Sequence, residues 1–455
     1  MARDQSDPTP IESRAELVAW FEKGCKPESD FRLGTEHEKF GFYAYDHAPV
    51  PYDGPRGIRA ILEGLQARIG WEPIMDGEAI IGLADPLGGG AISLEPGGQF
   101  ELSGAPVATL HETRSELVQH LDALDAVAAH FGIRFLGLGH SPTWTRAETP
   151  VMPKQRYGIM RRYMPTVGSR GLDMMFRTST VQVNLDFASE ADMTRKIRVA
   201  VALQPVATAL FANSPFTEGK PNGFKSVRSE IWRDTDNNRA GMIPFVFGDG
   251  MGFERYVDYA LDVPMYFVKR GDHYHDVAGA SFRDLLDGKL PQLPGERATI
   301  SDWANHLSTL FPEARLKRYL EMRGADMGTS DMVVALPAFW VGLMYDAGAL
   351  DQAWQLVKDW TDEERQALRD AVPRQALAAP FRGRTVRELA RDVLAISTEG
   401  LKRRAKVEGG QDETAYLAPL QEIVETGRTR ADVLLERYAG EWGGSVEPVF
   451  ETNVL

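Results

Sequence analysis

One cysteine, Cys25, in a chain of 455 residues leaves no partner for an intramolecular disulfide and too few thiols for a cysteine-based zinc site. Its surroundings, Gly24-Cys25-Lys26-Pro27, supply no base to activate the thiol, so it reads as structural. Long apolar runs are missing too. The longest, Val333 to Met344, is too short to span a bilayer, and Met1 to Pro10 lacks the basic and apolar regions of a signal peptide. These absences lead to the expectation of a cytoplasmic protein with no membrane partner. No Lys/Arg block is long enough to follow a nucleic-acid backbone, and a formal net charge of -14 argues against nucleic acid as well. There is no Walker A sequence and no G-x-G-x-x-G after a strand; Gly88-Gly89-Gly90 reads as a flexible connection. Low-complexity tracts and internal repeats are absent, which sets aside solenoids and propellers.

What remains is an ordinary globular composition, 43% hydrophobic and 25% charged, in a chain longer than one core usually serves. Helical spacing runs from Ser13 to Lys23, Ile58 to Ile69, Leu110 to Phe131 and Met193 to Phe211, while Arg134 to Gly139 and Thr178 to Phe187 read as strands. In the latter, Val181, Val183, Leu185 and Phe187 share one face, and Thr180, Gln182, Asn184 and Asp186 share the other. A Gly/Asn/Lys-rich loop from Thr217 to Lys225 is of a kind that holds substrate. Helix dominates the end, with Arg384 to Arg404 and Thr414 to Tyr438 as its main segments. The expected organisation is an α+β core over residues 1–360 with a helical C-terminal region, 361–455, packed on it.

Four alternating segments carry glutamates on their polar faces: Glu36 and Glu38, Glu95, Glu101 across the Pro96-Gly97-Gly98 turn, and Glu321 beside Arg323. If one sheet holds them, the carboxylates share a side. Two unit charges ~5 Å apart at an effective dielectric of ~20 repel by roughly 3 kcal/mol, so such a cluster calls for a cation. A solvated strand face explains alternating charge more often, but the parity of Glu36 and Glu38 continues into Phe40 and Phe42, as in a pocket wall. Hard carboxylate oxygens select Mg2+ or Mn2+, and Mg2+ usually serves phosphates as well, which implies a nucleotide. His273 and His275, the one close histidine pair, read as an exposed turn. Lys154, Arg156, Arg161, Arg162, Arg228 and Arg233 flank the polar strands, and guanidinium suits carboxylate or phosphate oxygens.

Phe31 to Phe42 (FRLGTEHEKFGF), Ser93 to Pro106 (SLEPGGQFELSGAP), Arg156 to Asp186, Lys220 to Asp236 (KPNGFKSVRSEIWRDTD), Tyr256 to Phe267 (YVDYALDVPMYF) and Arg315 to Asp326 (RLKRYLEMRGAD) resemble, in this order, the plant-type glutamate-cysteine ligases of plants and some proteobacteria. The likeness runs from about Phe31 to Asp346. It implies a glutamine-synthetase-like fold, a curved and mainly antiparallel sheet forming a funnel with helices outside. It also implies the reaction: ATP phosphorylates the side-chain carboxylate of L-glutamate, and the amine of L-cysteine attacks the acyl phosphate to give gamma-glutamylcysteine, the first step of glutathione synthesis.

Residue by residue, the resemblance gives Glu36, Glu38, Glu95, Glu101 and Glu321 to Mg2+ (or Mn2+), with Gln182 completing the metal's surroundings. Arg323 would stabilise the transferred phosphoryl group, and Glu36 and Glu101 would share its catalytic setting. Arg156 and Arg228 would grip the alpha-carboxylate of glutamate. Tyr157 and Tyr266 would wall the cysteine pocket, and Asn184 joins the substrate-binding set. Plant members carry regulatory cysteine pairs; with Cys25 alone, that switch cannot form within this chain. Product inhibition by glutathione is the control the resemblance leaves, with a monomer or weak homodimer as the assembly. Two alternatives remain: a relative that joins glutamate to another amine, and an inactive nucleotide-binding protein on the same scaffold.

Overall fold

The computed structural model describes residues 7–455, so part of the polar start lies outside the described residues. Nine strands form one antiparallel sheet: β1 (Leu33–Tyr43), β2 (Glu72–Asp76), β3 (Ala79–Ala84), β4 (Ala91–Leu94), β5 (Gln99–Ser103), β6 (Ile133–Leu136), β7 (Thr180–Leu185), β8 (Ala314–Leu316) and β9 (Leu320–Asp326). The order is β8-β9-β7-β1-β5-β4-β3-β2. Strand β1 organises it. Residues Leu33 to His37 pair with β7 and Phe40 to Tyr43 with β6 along one edge, while Glu36 to Phe40 pair with β5 along the other.

Period-two patterning decides the two faces. Val181, Val183 and Leu185 of β7, with Leu320 and Met322 of β9, bury in the main core alongside the helices Glu190–Leu210 and Ser330–Met344. Further along the sheet, Ile92, Leu94, Phe100 and Leu102 pack with Ile58–Ile69 and Leu110–Ala128 in a second core. The helix starts are legible in their caps: Ser189 accepts from the Asp192 amide, and Thr109/Glu112 and Thr385/Glu388 form capping boxes. Ser330–Met344 contains the longest apolar run and is buried; no single described helix is long and apolar enough to cross a membrane. Cys25 is a half-buried free thiol, and burial raises its pKa, in keeping with a structural role.

Three expectations change. The segment Thr414 to Tyr438 is not one helix, because Gly427 turns left-handed (φ +72°) and separates Ala418–Thr426 from Arg430–Ala439. Thr217 to Lys225 does not border the cleft described below: Phe216–Thr217 and Lys220–Pro221 pair as a small hairpin, and Glu218 engages Arg177 at 2.7 Å. Phe40 and Phe42 share the parity of Glu36 and Glu38 yet do not line the cleft described below. They are buried with Trp442, Val446, Val449 and Phe450, so the end of the chain closes over the second half of β1. The tail also covers the β6 side of the sheet, where the Gly137 amide donates to Asn453 O and the Leu455 amide to Phe135 O.

The helix Val386–Arg404 packs on Ser330–Met344 at a glycine contact, since a Cβ on Gly400 would lie 1.8 Å from Gly342 O. Gly400→Ala must push these two buried helices apart, and we expect a loss of about 3 kcal/mol or more in urea unfolding. A variant within 0.5 kcal/mol of the parent, on the order of a neutral surface change, contradicts that packing. Burial holds His306 at about 4, its Nε2 donating to Ala260 O at 2.8 Å. Depressed below its unfolded value of about 6.5, the ring takes up a proton more readily in the unfolded chain, so its contribution is full above pH ~6.5 and lost progressively toward pH ~4. Urea midpoints of the parent and His306→Gln, compared at pH 7 and pH 4.5, should show the parent losing more stability on acidification.

Candidate active site

On the side of the sheet away from the two cores, Glu36 and Glu38 of β1 stand beside Gln182 of β7 and Glu101 of β5. Glu38 and Glu101 are direct cross-strand partners, as are Glu36 and Gln182. Opposed like charges at this spacing destabilise a sheet, and the surrounding groups relieve them unequally. Glu101 accepts from Ser93 Oγ at 2.6 Å and Ser103 Oγ at 3.0 Å, both supplied by the alternation of β4 and β5. Glu36 accepts from Asn184 Nδ2 at 2.7 Å, and Glu38 from the Thr180 amide at 3.0 Å. Burial, with Glu95 and Glu101 nearby, nevertheless pushes the Glu38 carboxyl well above its ordinary range. Burial and Glu101 also raise Glu95.

Glu95 enters this group through the turn between β4 and β5. Gly98 has φ +85°, and a Cβ on Gly97 would lie 2.2 Å from Phe176 O, so the two glycines let the turn close and dock. Gln99 anchors it: Oε1 accepts from the Gly97 amide at 2.9 Å, and Nε2 donates to Thr178 O at 2.7 Å.

The cations arrive from other elements. Arg323 of β9 donates through Nη1 to Gln182 Oε1 and Glu321 Oε1, each at 2.7 Å. Arg228, on the short helix Val227–Ile231, donates through Nη2 to Arg323 O at 2.8 Å. Arg156 opens the helix Gln155–Val167 and lies 5.4 Å from the Tyr157 ring centre. Together these residues border one cleft, whose wall includes Glu36, Glu38, Glu95, Glu101, Gln182, Arg156, Tyr157, Arg228 and Arg323. Met160, Met174, Met175, Trp232, Phe267 and Phe311 form its apolar part.

Three residues of the expected set lie elsewhere. Glu321 is fully buried and held by cations rather than open to the cleft. Its oxygens receive Arg315 Nε and Nη2 at 2.7 Å, Arg323 Nη1 at 2.7 Å and Lys317 Nζ at 3.1 Å. Burial alone would raise its pKa, but Arg315, Lys317 and Arg323 hold it well below the usual carboxylate range. Tyr266 turns away, its hydroxyl donating to Asp236 Oδ2 at 3.1 Å and its ring lying 3.7 Å from the Arg239 guanidinium. Asn184 stands behind Glu36 rather than in the cleft wall. Of the flanking cations, Lys154 is buried with Nζ donating to Leu94 O at 2.6 Å, and Arg162 pairs with Asp276 on the surface.

Arg315 borders the cleft and was not assigned a role by sequence; its signal was the Arg315–Glu321 pairing across the β8–β9 hairpin. The apolar wall comes from segments far apart in the chain and had no comparable signal. Among the described residues no group of three or more histidine, cysteine or acidic side chains forms a ready-made metal cage. The donor set still suits a hard divalent cation, because four carboxylates converge on one cleft, where burial and neighbouring carboxylates raise the pKa of Glu38 and Glu95. Carboxylates and guanidinium groups that border the same cleft can hold a cation and an anion side by side.

Comparison with known proteins agrees with this arrangement. A family model described as glutamate-cysteine ligase family 2 (GCS2) matches residues 32–452. The chain is 57% identical to the chloroplastic glutamate-cysteine ligase of Solanum lycopersicum over 439 residues, 96% of this chain and 82% of that protein. It is 57% identical to the chloroplastic enzyme of Arabidopsis thaliana, over 96% of this chain and 82% of that one. The crystal structure of Francisella tularensis glutamate-cysteine ligase in complex with AMP superposes with a TM-score of 0.57 at 12% identity, covering 93% of this chain and 87% of that one. That superposition bears out the expected fold class. The cytoplasmic location expected from the sequence is overturned by these relatives, which are chloroplastic enzymes. Matched over nearly its whole length, the chain belongs to glutamate-cysteine ligase family 2.

Proposed function

We propose that the chain is an ATP-dependent ligase that joins the side-chain carboxylate of L-glutamate to the amine of L-cysteine. The observation that carries this reading is the cleft itself, which Glu36, Glu38, Glu95 and Glu101 border together with Arg156, Arg228 and Arg323. Phosphoryl transfer asks the protein for position and charge compensation more than covalent chemistry. The four carboxylates are the residues that would hold Mg2+, or Mn2+; when bound, that ion neutralises phosphate charge. Gln182, with Oε1 committed to Arg323, supports that guanidinium more directly than a metal.

In the first step the terminal phosphoryl group of ATP passes to an oxygen of the glutamate side chain, and ADP leaves. Arg323 faces the transferred group, its guanidinium fixed by Gln182 and Glu321 before substrate arrives. Arg156 and Arg228 take the alpha-carboxylate, so the distal carboxylate points at the nucleotide. In the second step the neutral amine nitrogen attacks the acyl carbon, the C–O bond to phosphate breaks, and the amide forms as the nitrogen's proton leaves with the departing inorganic phosphate. Tyr157 and the thioethers of Met160, Met174 and Met175 form the wall left for the cysteine side chain, a soft apolar surface for a thiol. Tyr266 has no part in it.

Coupled ADP release from purified protein with Mg-ATP and L-glutamate should depend on L-cysteine. Glu36→Gln and Arg323→Lys should each lower kcat by about 100-fold or more while melting near the parent temperature. ADP release driven better by another amine would keep the mechanism and change the acceptor; no release with any amine would leave a nucleotide-binding protein. Glutathione should inhibit in competition with glutamate, because both present the same glutamyl alpha-carboxylate to Arg156 and Arg228. Inhibition that rising glutamate does not relieve would place the inhibitor elsewhere.

A further inference from the structure

Strand β9 does not pair evenly with β7. Met322 lies opposite Val183 and Ala325 opposite Val181, so three steps along β9 face two along β7. The extra residue reverses the alternation. Ala325 joins the outer core, and Asp326 turns to the side of the sheet that carries the site. There it is 1% exposed, and a Cβ on the neighbouring Gly139 would lie 2.4 Å from its carboxyl carbon.

Three donors converge on this carboxylate. Oδ2 accepts from the Asn213 amide at 2.9 Å and Ser214 Oγ at 2.6 Å, and Oδ1 accepts from Ser226 Oγ at 2.7 Å. Each serine hydroxyl has a second task. Ser226 Oγ accepts from the Ser229 amide at 3.1 Å, capping the helix Val227–Ile231, and Ser214 Oγ receives the Arg228 amide at 3.3 Å. That helix has five residues, too few to hold an orientation by its own hydrogen bonds. Its one cleft-lining guanidinium, Arg228, reaches back to Arg323 O, three residues before Asp326 on the same strand. The contacts form a closed ring: Asp326, a serine hydroxyl, the Arg228 backbone, the Arg228 guanidinium, and the Arg323 carbonyl. An asparagine offers only one acceptor oxygen in place of two and cannot serve all three donors equally.

We infer that Asp326 is a positioning residue for Arg228: through Ser214 and Ser226 it sets where the guanidinium meets the alpha-carboxylate of glutamate. The inference rests on the reading that Arg228 takes that carboxylate. Steady-state kinetics of Asp326→Asn, Ser226→Ala, Ser226→Thr and Arg228→Lys, each checked for a cooperative melt, test it. Asp326→Asn and Ser226→Ala should raise the KM for glutamate about tenfold and leave the KM for ATP within twofold; Ser226→Thr, which keeps the hydroxyl, should restore the parent value. If Asp326→Asn does not fold, Ser226→Ala decides alone. A raised glutamate KM in Arg228→Lys with an unchanged one in Ser226→Ala overturns the inference by itself, as does a uniform change in both KM values and kcat. An unchanged glutamate KM in Arg228→Lys removes the reading of Arg228, and the inference with it.

Discussion

Glu38 and Glu101 face each other across adjacent strands, Glu101 buried and Glu38 partly so, and the rest of the site is arranged around that repulsion. A fold selected for stability alone would place apolar side chains there. Here the strands supply partial relief from nearby: two serine hydroxyls for Glu101, a backbone amide for Glu38, an asparagine amide for Glu36. The relief is incomplete, as the raised Glu38 and Glu95 carboxyls record. Incomplete compensation in a protein's resting state is what a site needs if a cation is to gain by entering it.

Glu321 answers the opposite problem. Arg315, Lys317 and Arg323 are three buried cations within one hairpin, and a single carboxylate draws them together. Removing one partner from such a cluster leaves uncompensated buried charge, so the cluster behaves as a unit. Only Arg315 and Arg323 among its cations border the cleft. The buried carboxylate thus acts at one remove, fixing two guanidinium groups that border the cleft. A residue that the resemblance assigned to a metal is instead committed to guanidinium groups that border the cleft.

The sequence made the sheet legible because strand periodicity is a local signal: alternation in Thr178 to Phe187 and in Glu36 to Glu38 separates core face from site face without knowledge of the partners. It did not reveal what covers each face. Phe40 and Phe42 follow Glu36 and Glu38 with unbroken parity, but the cover changes from cleft to C-terminal tail within one strand, a fact set some 400 residues away in the chain. Tyr266 was misplaced for a related reason. Its neighbour Phe267 borders the cleft, and one step of backbone exchanges the two sides. The β-bulge at Arg323 was equally hidden, since an extra residue alters parity without leaving a compositional mark beyond Gly324.

Gly324 shows why that irregularity persists. A Cβ there would lie 2.5 Å from Gln204 Oε1, and the glycine's amide and carbonyl are met by Gln204 Oε1 and Thr208 Oγ1 of the helix Glu190–Leu210. Two polar side chains from the buried half of this helix therefore serve the backbone of one bulged residue. Unmet, those backbone groups would each cost on the order of 1–3 kcal/mol, so the bulge is stable only where the helix lies against it. The outer helix thereby fixes the register of β9, and register decides that Arg323 and Asp326 face inward while Ala325 faces the core. The geometry of the site is set from the far side of the sheet.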